Sequence, residues 1–268
     1  MTEDQITEAA QALLGAEASG IQIGLLSQTY PDMTMDKAYR VQAALVAAKI
    51  AKGRRQIGWK IGLTSKAMQA ALNIATPDSG VLLDDMAFED GARIPKGRFI
   101  APRIEAELAF VMKAPLRGEV SIWEVLAATE VIVPALEILD TRVIRQDPAT
   151  GRARIITDTI ADNAANAGIV TGGRAIAPQA MDLRWLGAIV SRNGEVEETG
   201  LGAGVLNDPA RGIVWLVKRL SAYGQGVEAG QIVLSGSFIR PVECRAGDTI
   251  SADFGPLGTI SVHFERGE

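Results

Sequence analysis

Two stretches of the chain decide how it folds: Pro102-Arg-Ile-Glu-Ala-Glu-Leu-Ala-Phe-Val111 and Val133-Pro-Ala-Leu-Glu-Ile-Leu139. The first has the composition of a β-strand, so Glu105 and Glu107, two residues apart, are predicted to point to the same face. Glu137 is the single charged residue of the second stretch, and its carboxylate would be costly to bury without a partner. The two strands therefore bring acidic side chains into an apolar setting.

These glutamates favour a site for a hard divalent cation. Mg²⁺ and Mn²⁺ prefer oxygen ligands, use few protein carboxylates and leave positions for water and substrate. A Glu-x-Glu pair is also typical of the solvated face of an edge strand. Glu137 adds weight to the metal interpretation, but both interpretations stay open on these residues alone.

The composition bounds the kind of protein. At 268 residues, 47% hydrophobic and 22% charged, the chain is typical of an ordinary globular protein. Its 27 Lys and Arg against 32 Asp and Glu give a net charge of −5, so a nucleic-acid partner is not expected. The opening Met1-Thr-Glu-Asp4 lacks a basic signal segment, and no stretch is apolar enough to span a bilayer. We expect a cytoplasmic protein without a membrane partner.

The counts of cysteine and histidine limit the chemistry. Cys244 is the single cysteine, which excludes an intrachain disulfide and a cysteine metal cage. His263 is the single histidine and lies in a terminal strand pattern, where a structural or surface role is expected. Acid–base catalysis must therefore use carboxylates, lysine, tyrosine or metal-bound water.

The first 55 residues are predicted to form a helical segment that packs on the main body, residues 56–268. Residues 2–17 look helical, and apolar residues recur at spacings of three and four over residues 35–52. Thr34 is the expected N-cap of that second helix. No linker rich in Pro, Gly or Ser separates the helices from the main body, so we expect the two parts to be in contact.

Lys60 lies in a strand pattern that contains glycine, Gln56-Ile-Gly-Trp-Lys-Ile-Gly-Leu63. Glycine inside a strand often marks a bulge or the close approach of a ligand. The sequence leaves open whether Lys60 is buried or reaches the surface, and it does not fix the protonation state. A short helix is predicted to start after this strand at Thr64-Ser-Lys66 and to run through Leu72.

Two further segments are predicted to separate strands. Thr76-Pro-Asp-Ser-Gly80 has the composition of a turn, so Asp78 is either a turn residue or a site residue. A capping box starting at Ser121 predicts a helix to about Val131, broken by Pro134 before the Glu137 strand.

Six segments of the chain match, in order, a known family: Gly58-Trp-Lys-Ile-Gly-Leu-Thr-Ser65, Pro77-Asp78, Pro102-Arg-Ile-Glu-Ala-Glu-Leu-Ala-Phe110, Pro134-Ala-Leu-Glu137, Asp158-Thr-Ile-Ala-Asp-Asn163 and Gly236-Ser237. They resemble the 2-oxo-4-pentenoate hydratase branch of the fumarylacetoacetate hydrolase superfamily. The resemblance implies a mixed α/β fold, rich in antiparallel strands, with a β-roll core and an N-terminal helical segment. It covers nearly the whole chain, so it is more specific than any one motif.

The resemblance also implies roles for individual residues. The implied ligands of Mg²⁺, or of Mn²⁺ as a substitute, are Glu105, Glu107 and Glu137. The implied proton-transfer residues are Lys60 and Asp78. The residues implied near the 2-oxo acid end of the substrate are Leu63, Thr64, Asn163 and Ser237. Members of this branch assemble as homo-oligomers, including rings of dimers.

The implied activity is that of a hydro-lyase that adds water to a small 2-oxo alkenoate. Such a reaction needs negative charge on the 2-oxygen, which a divalent cation stabilises. Three segments are shared with members that hydrate 2-oxohept-3(4)-ene-1,7-dioate to 4-hydroxy-2-oxoheptanedioate in homoprotocatechuate breakdown: Leu82-Leu-Asp-Asp-Met86, residues 147–154 and Val196-Glu-Glu-Thr-Gly200.

The diacid preference is motivated by arginines in and beside the loop of residues 146–153. Arg145, Arg152 and Arg154 are either solvated or part of an anion site. We expect Arg142 and Arg145 to bind the distal carboxylate of the substrate.

Several alternatives stay open. The nearest are a 2-oxopent-4-enoate hydratase and a decarboxylase of 4-oxalocrotonate-type acids. A catalytically silent subunit that partners a pathway decarboxylase belongs to a different class. A carbon–carbon hydrolase is disfavoured because such members use a histidine–carboxylate pair. Trp59 and Ser79 stand where many members have histidine and tyrosine, which leaves the substrate in doubt.

Overall fold

The computed structural model describes residues 1–71, 74 and 76–267. Its helices are α1 (Glu3–Ser19), α2 (Leu26–Thr29), α3 (Met35–Ala51), α4 (Lys66–Ala71), α5 (Ile122–Ala128), α6 (Ile156–Ala161) and α7 (Pro209–Ser221). Its strands are β1 (Gln56–Gly62), β2 (Asp78–Leu83), β3 (Ala87–Glu89), β4 (Ala92–Ile94), β5 (Arg103–Met112), β6 (Thr129–Leu139), β7 (Asn166–Thr171), β8 (Gly187–Arg192), β9 (Glu195–Leu201), β10 (Ile232–Leu234), β11 (Val242–Glu243), β12 (Thr249–Asp253) and β13 (Thr259–Phe264).

Over these residues the strands form two mixed sheets, one of eight strands and one of five. The larger sheet has the order β2-β1-β10-β5-β6-β7-β3, with β11 also paired to β5. The smaller has the order β4-β13-β12-β8-β9. Most pairs are antiparallel, and the parallel ones are β1 with β10, β3 with β7 and β4 with β13. The predicted mixed α/β fold, rich in antiparallel strands, is confirmed.

Strands β5 and β6 form the longest ladder, and they lie in the middle of the larger sheet. Ile104, Ala106 and Leu108 are fully buried in the main apolar core, because every second residue of β5 faces it. The intervening glutamates take the opposite face, as the spacing predicts. The fold thus holds these carboxylates on the rigid centre of the sheet rather than on an edge.

The N-terminal helices form an apolar cluster of their own. Leu13 of α1 and Val41 of α3 pack in this cluster with Val143 and with Ile160 of α6. Helix α3 begins at Met35 because the Thr34 hydroxyl accepts the Lys37 N–H, as predicted. The helices therefore contact the loop and helix that come after β6 in the chain. The division of the chain at residue 55 stays a prediction.

Two local predictions were wrong. Asp78 does not lie in a turn: it begins β2, whose backbone pairs with β1 from Gly62 opposite Asp78 onward. The helix starting after Ser121 ends at Ala128, and Pro134 lies inside β6. Pro134 is one residue past the last pair with β7, where a residue without an N–H is tolerated. The predicted end of the α4 helix, Leu72, lies outside the described residues.

Within the described ranges, no helix is long and apolar enough to cross a membrane.

Candidate active site

Three glutamates converge at the centre of the larger sheet. Glu105 and Glu107 share one face of β5, and Glu137 lies directly opposite Glu105 on β6. One carboxylate oxygen of each side chain lies within 4.8 Å of the others. Antiparallel register thus brings together acids that are far apart in the sequence.

The glutamates are buried with several oxygens unbonded. Glu107 and Glu137 are fully buried, and Glu105 is partly buried. The Gly236 N–H donates to Glu107 Oε2 at 2.8 Å. Among the described residues, Glu107 Oε1 and both oxygens of Glu137 have no hydrogen-bond partner. Since buried polar atoms are nearly always bonded, these oxygens indicate a missing ligand.

The electrostatics of the cluster agree with its hydrogen bonding. Burial and the charge of Glu137 raise the pKa of Glu105 to about 8. Burial and the neighbouring carboxylates raise the pKa of Glu107 well above its ordinary value. Both shifts mean that the ionised cluster is unfavourable without a positive charge among its oxygens.

Lys60 and Asp78 border the cluster on β1 and β2. Lys60 is buried, and its Nζ lies 3.3 Å from Glu137 Oε1. Burial alone would lower the pKa of Lys60, but Glu137 and Asp78 raise it above the ordinary value. Burial raises the pKa of Asp78, opposed by Lys60 and by the N–H of Gly62. Among the described residues, no side chain forms a hydrogen bond with Asp78 Oδ1.

Gly62 is what allows Lys60 and Asp78 to approach each other. A Cβ at this position would overlap Asp78 Oδ1 and lie 3.1 Å from Lys60 Nζ. Gly62 therefore marks a close approach between the backbone and two charged side chains, rather than a bulge.

A cavity of about 530 Å³ opens onto this cluster, which is within the range of small-molecule sites. Lys60, Asp78 and Glu105 contribute charged groups at one end. Apolar side chains form much of the wall, among them Leu139 and Ile239. The cavity thus has both charged groups and an apolar wall, as expected for a site that binds a small organic acid.

The backbone around the cavity is strained at several residues. Leu63 has φ 56°, and Asn163, Ala164 and Ala165 follow one another with φ between 52° and 58°. Side-chain-bearing residues rarely adopt this region, and such strain is concentrated at functional sites. Leu63, Ala164 and Ala165 line the cavity.

The structure brings together most of the residues that the sequence singles out. Those that line the cavity are Lys60, Leu63, Thr64, Asp78, Glu105 and Ser237. Asn163 does not line the cavity but is bonded to β2. Its Oδ1 accepts the Val81 N–H at 2.8 Å, and its Nδ2 donates to the Val81 carbonyl at 2.9 Å. The roles of these residues as ligands, proton carriers or substrate contacts stay predictions.

Arg142 is not placed in the cavity, contrary to expectation. Its side chain is buried against Asp162, with Nε 2.5 Å from Asp162 Oδ1. Its Nη2 donates to Asp162 O at 2.7 Å. The guanidinium is instead paired with Asp162, 20 residues later in the sequence, and the spacing of the two residues does not predict that pairing. Arg145, the other expected arginine, does line the cavity.

Arg154, left open as solvated or part of an anion site, also lines the cavity. Other cavity residues were missed from the sequence: Arg103, Ile155, Ile156, Thr159 and Pro241. Arg103 carried a usable signal, because it alternates with Glu105 and Glu107 and so shares their face of the strand. The remaining residues belong to loops or a short helix, where spacing does not indicate which side chain faces the site.

The residues of this site fit a hard divalent cation. The donors are all carboxylate oxygens, the preference of Mg²⁺ and Mn²⁺. The acids Glu105, Glu107, Glu137 and Asp78 outnumber Lys60, the lysine that the described part of the chain places beside them. Together with the unbonded oxygens, this surplus of negative charge is the property that a cation would balance. The fold and the site define an enzyme centre built on carboxylates.

Comparison with known proteins places this centre in a family, although no family model matches the chain. The chain is 54% identical over 256 residues to the 2-oxo-hept-4-ene-1,7-dioate hydratase of Escherichia coli, covering 95% of the chain and 96% of that protein. It is 39% identical to the 2-keto-4-pentenoate hydratase of Paraburkholderia xenovorans, covering 100% of the chain and 98% of that protein.

A solved structure is also similar over nearly the whole fold. It is the 4-oxalocrotonate decarboxylase from Pseudomonas putida G7 complexed with magnesium and adipate, with a TM-score of 0.92 and 34% sequence identity. The match covers 98% of each chain. The chain therefore belongs to the 2-oxo-4-pentenoate hydratase branch of the fumarylacetoacetate hydrolase superfamily.

Proposed function

We propose that the protein is a Mg²⁺-dependent hydro-lyase that hydrates 2-oxohept-3(4)-ene-1,7-dioate to 4-hydroxy-2-oxoheptanedioate. The observation that carries this proposal is the buried cluster of Glu105, Glu107 and Glu137, with unbonded oxygens beside Lys60 and Asp78. The 54% identity to a hydratase of this diacid supports the reaction and the substrate. The magnesium and adipate held by the related decarboxylase support the metal and a dicarboxylic ligand.

The three glutamates would hold Mg²⁺, or Mn²⁺ as a substitute. Bound there, the cation supplies electrostatic stabilisation of negative charge on the 2-oxygen of the substrate. Glu137 belongs to this cluster and also lies beside Lys60, so its carboxylate links the metal ligands to the proton-transfer pair.

Lys60 and Asp78 move the protons of the reaction. Hydration adds a proton to one carbon and a hydroxyl group from water to another. Lys60 Nζ has three N–H donors and faces the cavity, while Asp78 Oδ1 is a buried acceptor that lacks a side-chain partner among the described residues. This donor and this acceptor therefore serve as general acid and general base.

The 2-oxo acid end of the substrate lies near the strand ends that flank the cluster. Leu63, Thr64 and Ser237 face the cavity there. Thr64 packs against Gly236, where a Cβ would lie 2.5 Å from the Thr64 methyl group. Gly236 also donates to Glu107, so the residues that contact substrate are held by the metal-binding cluster itself.

The proposal is tested by incubating the purified protein with Mg²⁺ and the seven-carbon dienol diacid. We expect loss of the ultraviolet absorbance of the dienol and formation of 4-hydroxy-2-oxoheptanedioate, identified by mass spectrometry. Chelation of the metal should stop the reaction. Wild-type protein that gives no hydrated product from this substrate would contradict the proposal.

A decarboxylase of 4-oxalocrotonate-type diacids is the second candidate, favoured by the similarity in fold to such an enzyme. It would use the same metal and the same lysine. Release of carbon dioxide from 4-oxalocrotonate, without hydration of the seven-carbon diacid, would identify it. Activity only after addition of a pathway decarboxylase would instead identify a silent partner subunit.

We also propose that the protein acts in the cytoplasm, in homoprotocatechuate breakdown, as a homo-oligomer of dimers arranged in a ring. Residues 1–55 would form a helical segment on the catalytic domain, residues 56–268. Light scattering on the eluted protein tests the assembly, and a single species with the mass of one chain would contradict it.

A further inference from the structure

Three arginines line the cavity together with the carboxylate cluster: Arg103, Arg145 and Arg154. Arg103 shares a strand face with Glu105, two residues away, which separates their backbones by about 7 Å. Arg145 and Arg154 flank the loop that comes after β6. Burial, and after it the charges of Arg103 and Arg154, lower the pKa of Arg145, so the guanidinium groups lie close enough to repel one another.

These arginines differ in their partners. Arg103 forms an ion pair with Glu243 at 2.5 Å. Arg145 donates to a backbone carbonyl, that of Ala101, at a long 3.4 Å. Arg154 Nη1 is buried and has no hydrogen-bond partner in the described part of the chain. In the same part, neither Arg145 nor Arg154 forms an ion pair.

The acids near Arg154 are already bonded elsewhere. Asp158 accepts the backbone N–H and the hydroxyl of Ser27, at 2.7 and 2.8 Å. Asp162 is paired with Arg142. Burial lowers the pKa of Arg145 to about 10, and it lowers the pKa of Arg154 as well. A guanidinium stays protonated at neutral pH, so Arg145 and Arg154 bring positive charge to the cavity wall.

We propose that Arg145 and Arg154, with Arg103 at the rim, bind the distal carboxylate of the substrate and make the site selective for dicarboxylic 2-oxo acids. This inference rests on the proposed function, which places the 2-oxo end at the glutamates. A seven-carbon chain has six bonds of about 1.5 Å and spans up to about 8 Å when extended. That length is close to the distance of about 7 Å between the backbones of Glu105 and Arg103 on β5.

The apolar part of the cavity wall suits the hydrocarbon part of such a ligand. Leu139 follows Glu137 on the same face of β6, and Ile155 follows Arg154. Cationic side chains, a carboxylate cluster and apolar surface in one cavity are the combination that a dicarboxylate bound through a metal requires. Bidentate pairing would give Arg154 Nη1 the hydrogen-bond partner that the described residues do not supply.

The test uses two saturated ligands that cannot be hydrated and that differ in one group. These are 2-oxoheptanedioate and 2-oxoheptanoate, whose Kd values are measured by calorimetry with Mg²⁺ present. For the wild-type protein we expect the diacid to bind about 10- to 100-fold more tightly, as a charge-assisted pair predicts. In Arg154→Gln and Arg145→Gln, the diacid should lose most of this advantage, while the Kd of the monoacid changes less than about threefold.

The control is Arg152→Gln, which removes an exposed arginine of the same loop and should leave both Kd values unchanged. Arg154→Lys keeps the charge and should retain part of the diacid preference, which a merely structural role would not predict. Equal wild-type affinity for the two ligands overturns the inference, as does a parallel loss of both affinities in Arg154→Gln. These outcomes do not depend on hydration, so a protein that prefers the diacid but does not hydrate it would refute the proposed function alone.

Discussion

Two groups of buried charges differ in how completely their polar atoms are bonded. Around Arg142, the guanidinium and the backbone N–H both bond Asp162, and Nη2 also reaches the Asn166 carbonyl at 3.3 Å. Around Glu137, neither carboxylate oxygen has a hydrogen-bond partner among the described residues. Both groups carry the cost of burying charge. The first offsets that cost with an ion pair and several hydrogen bonds, whereas three glutamates in the second share the charge of Lys60, which lies 3.3 Å from Glu137 Oε1.

The difference separates a charge that stabilises the fold from a charge kept for a ligand. A bonded pair needs nothing further, so its loss should appear in the free energy of unfolding. A carboxylate cluster with unbonded oxygens and raised pKa values lowers the stability of the protein until a cation enters. Neutralising one of its carboxylates should therefore appear in activity and in the response to metal. The two groups therefore predict opposite consequences for similar substitutions.

The largest effect is expected for Glu107→Gln. The amide keeps the shape but loses the charge that the cation requires, so turnover should fall about 1000-fold, the upper end of the losses caused by removing one key electrostatic group. The free energy of unfolding without Mg²⁺ should stay equal or rise, because a repelling carboxylate has been removed. Steady-state kinetics and denaturant unfolding measure the two. Glu130→Gln, an exposed position on β6, is the control and should match wild type.

Retained Mg²⁺-dependent turnover in Glu107→Gln would remove Glu107 from the proposed ligands. A large loss of stability would instead show that the charge of Glu107 is balanced within the fold, as that of Asp162 is by Arg142.

Arg142→Met should have the next largest effect, and on stability. It leaves the Asp162 carboxylate buried without its cation, a change that typically costs about 3 to 5 kcal/mol. Urea unfolding measures the loss. Arg152→Met, at an exposed position of the neighbouring loop, should change the free energy of unfolding by less than about 0.5 kcal/mol. A loss below about 1 kcal/mol in Arg142→Met would mean that the two clusters do not differ in the way proposed.

The glutamate cluster could be predicted in part from the sequence. The spacing of Glu105 and Glu107 places them on one face of a strand, and the apolar surroundings of Glu137 predict a buried carboxylate. The meeting of Glu137 with Glu105 could not be derived from spacing, because the register of two strands depends on pairing across the sheet. The family resemblance supplied that link, and the resemblance is confirmed.

The directions of the arginine side chains could not be predicted from the sequence. Arg142, Arg145 and Arg154 stand in one irregular segment, where no periodicity indicates direction. Arg142 was expected at the substrate, but Asp162 lies beside it in the fold and occupies its guanidinium. Asp78 was placed in a turn for a related reason: its local composition favours a turn, whereas pairing with β1 makes it the first residue of a strand.

Magnesium should stabilise the protein through the glutamate cluster and not through the Arg142–Asp162 pair. A ligand at 100 times its Kd raises the free energy of unfolding by about 2.7 kcal/mol when it binds only the folded state. We expect this increment for wild type and for Arg142→Met, and its loss in Glu137→Gln. Thermal or urea unfolding with and without Mg²⁺ measures it, with equal ionic strength from NaCl as the control. An equal increment in Glu137→Gln would show that Mg²⁺ binds elsewhere.

The smallest effect is expected for Gly62→Ala, which alters the geometry beside the unbonded cluster without removing any charged group. The added Cβ would overlap Asp78 Oδ1, so that carboxylate must rotate away from Lys60. A displacement of about 1 Å in a catalytic group costs up to about 100-fold in rate, so kcat should fall about 10- to 100-fold while Mg²⁺ still stabilises the protein. Gly15→Ala in α1 is the matched control, because no atom lies within 4 Å of its added Cβ and activity should not change. If kcat of Gly62→Ala equals that of wild type, the position of Asp78 does not limit turnover. The unbonded Asp78 oxygen would then have to be explained by the metal cluster rather than by proton transfer.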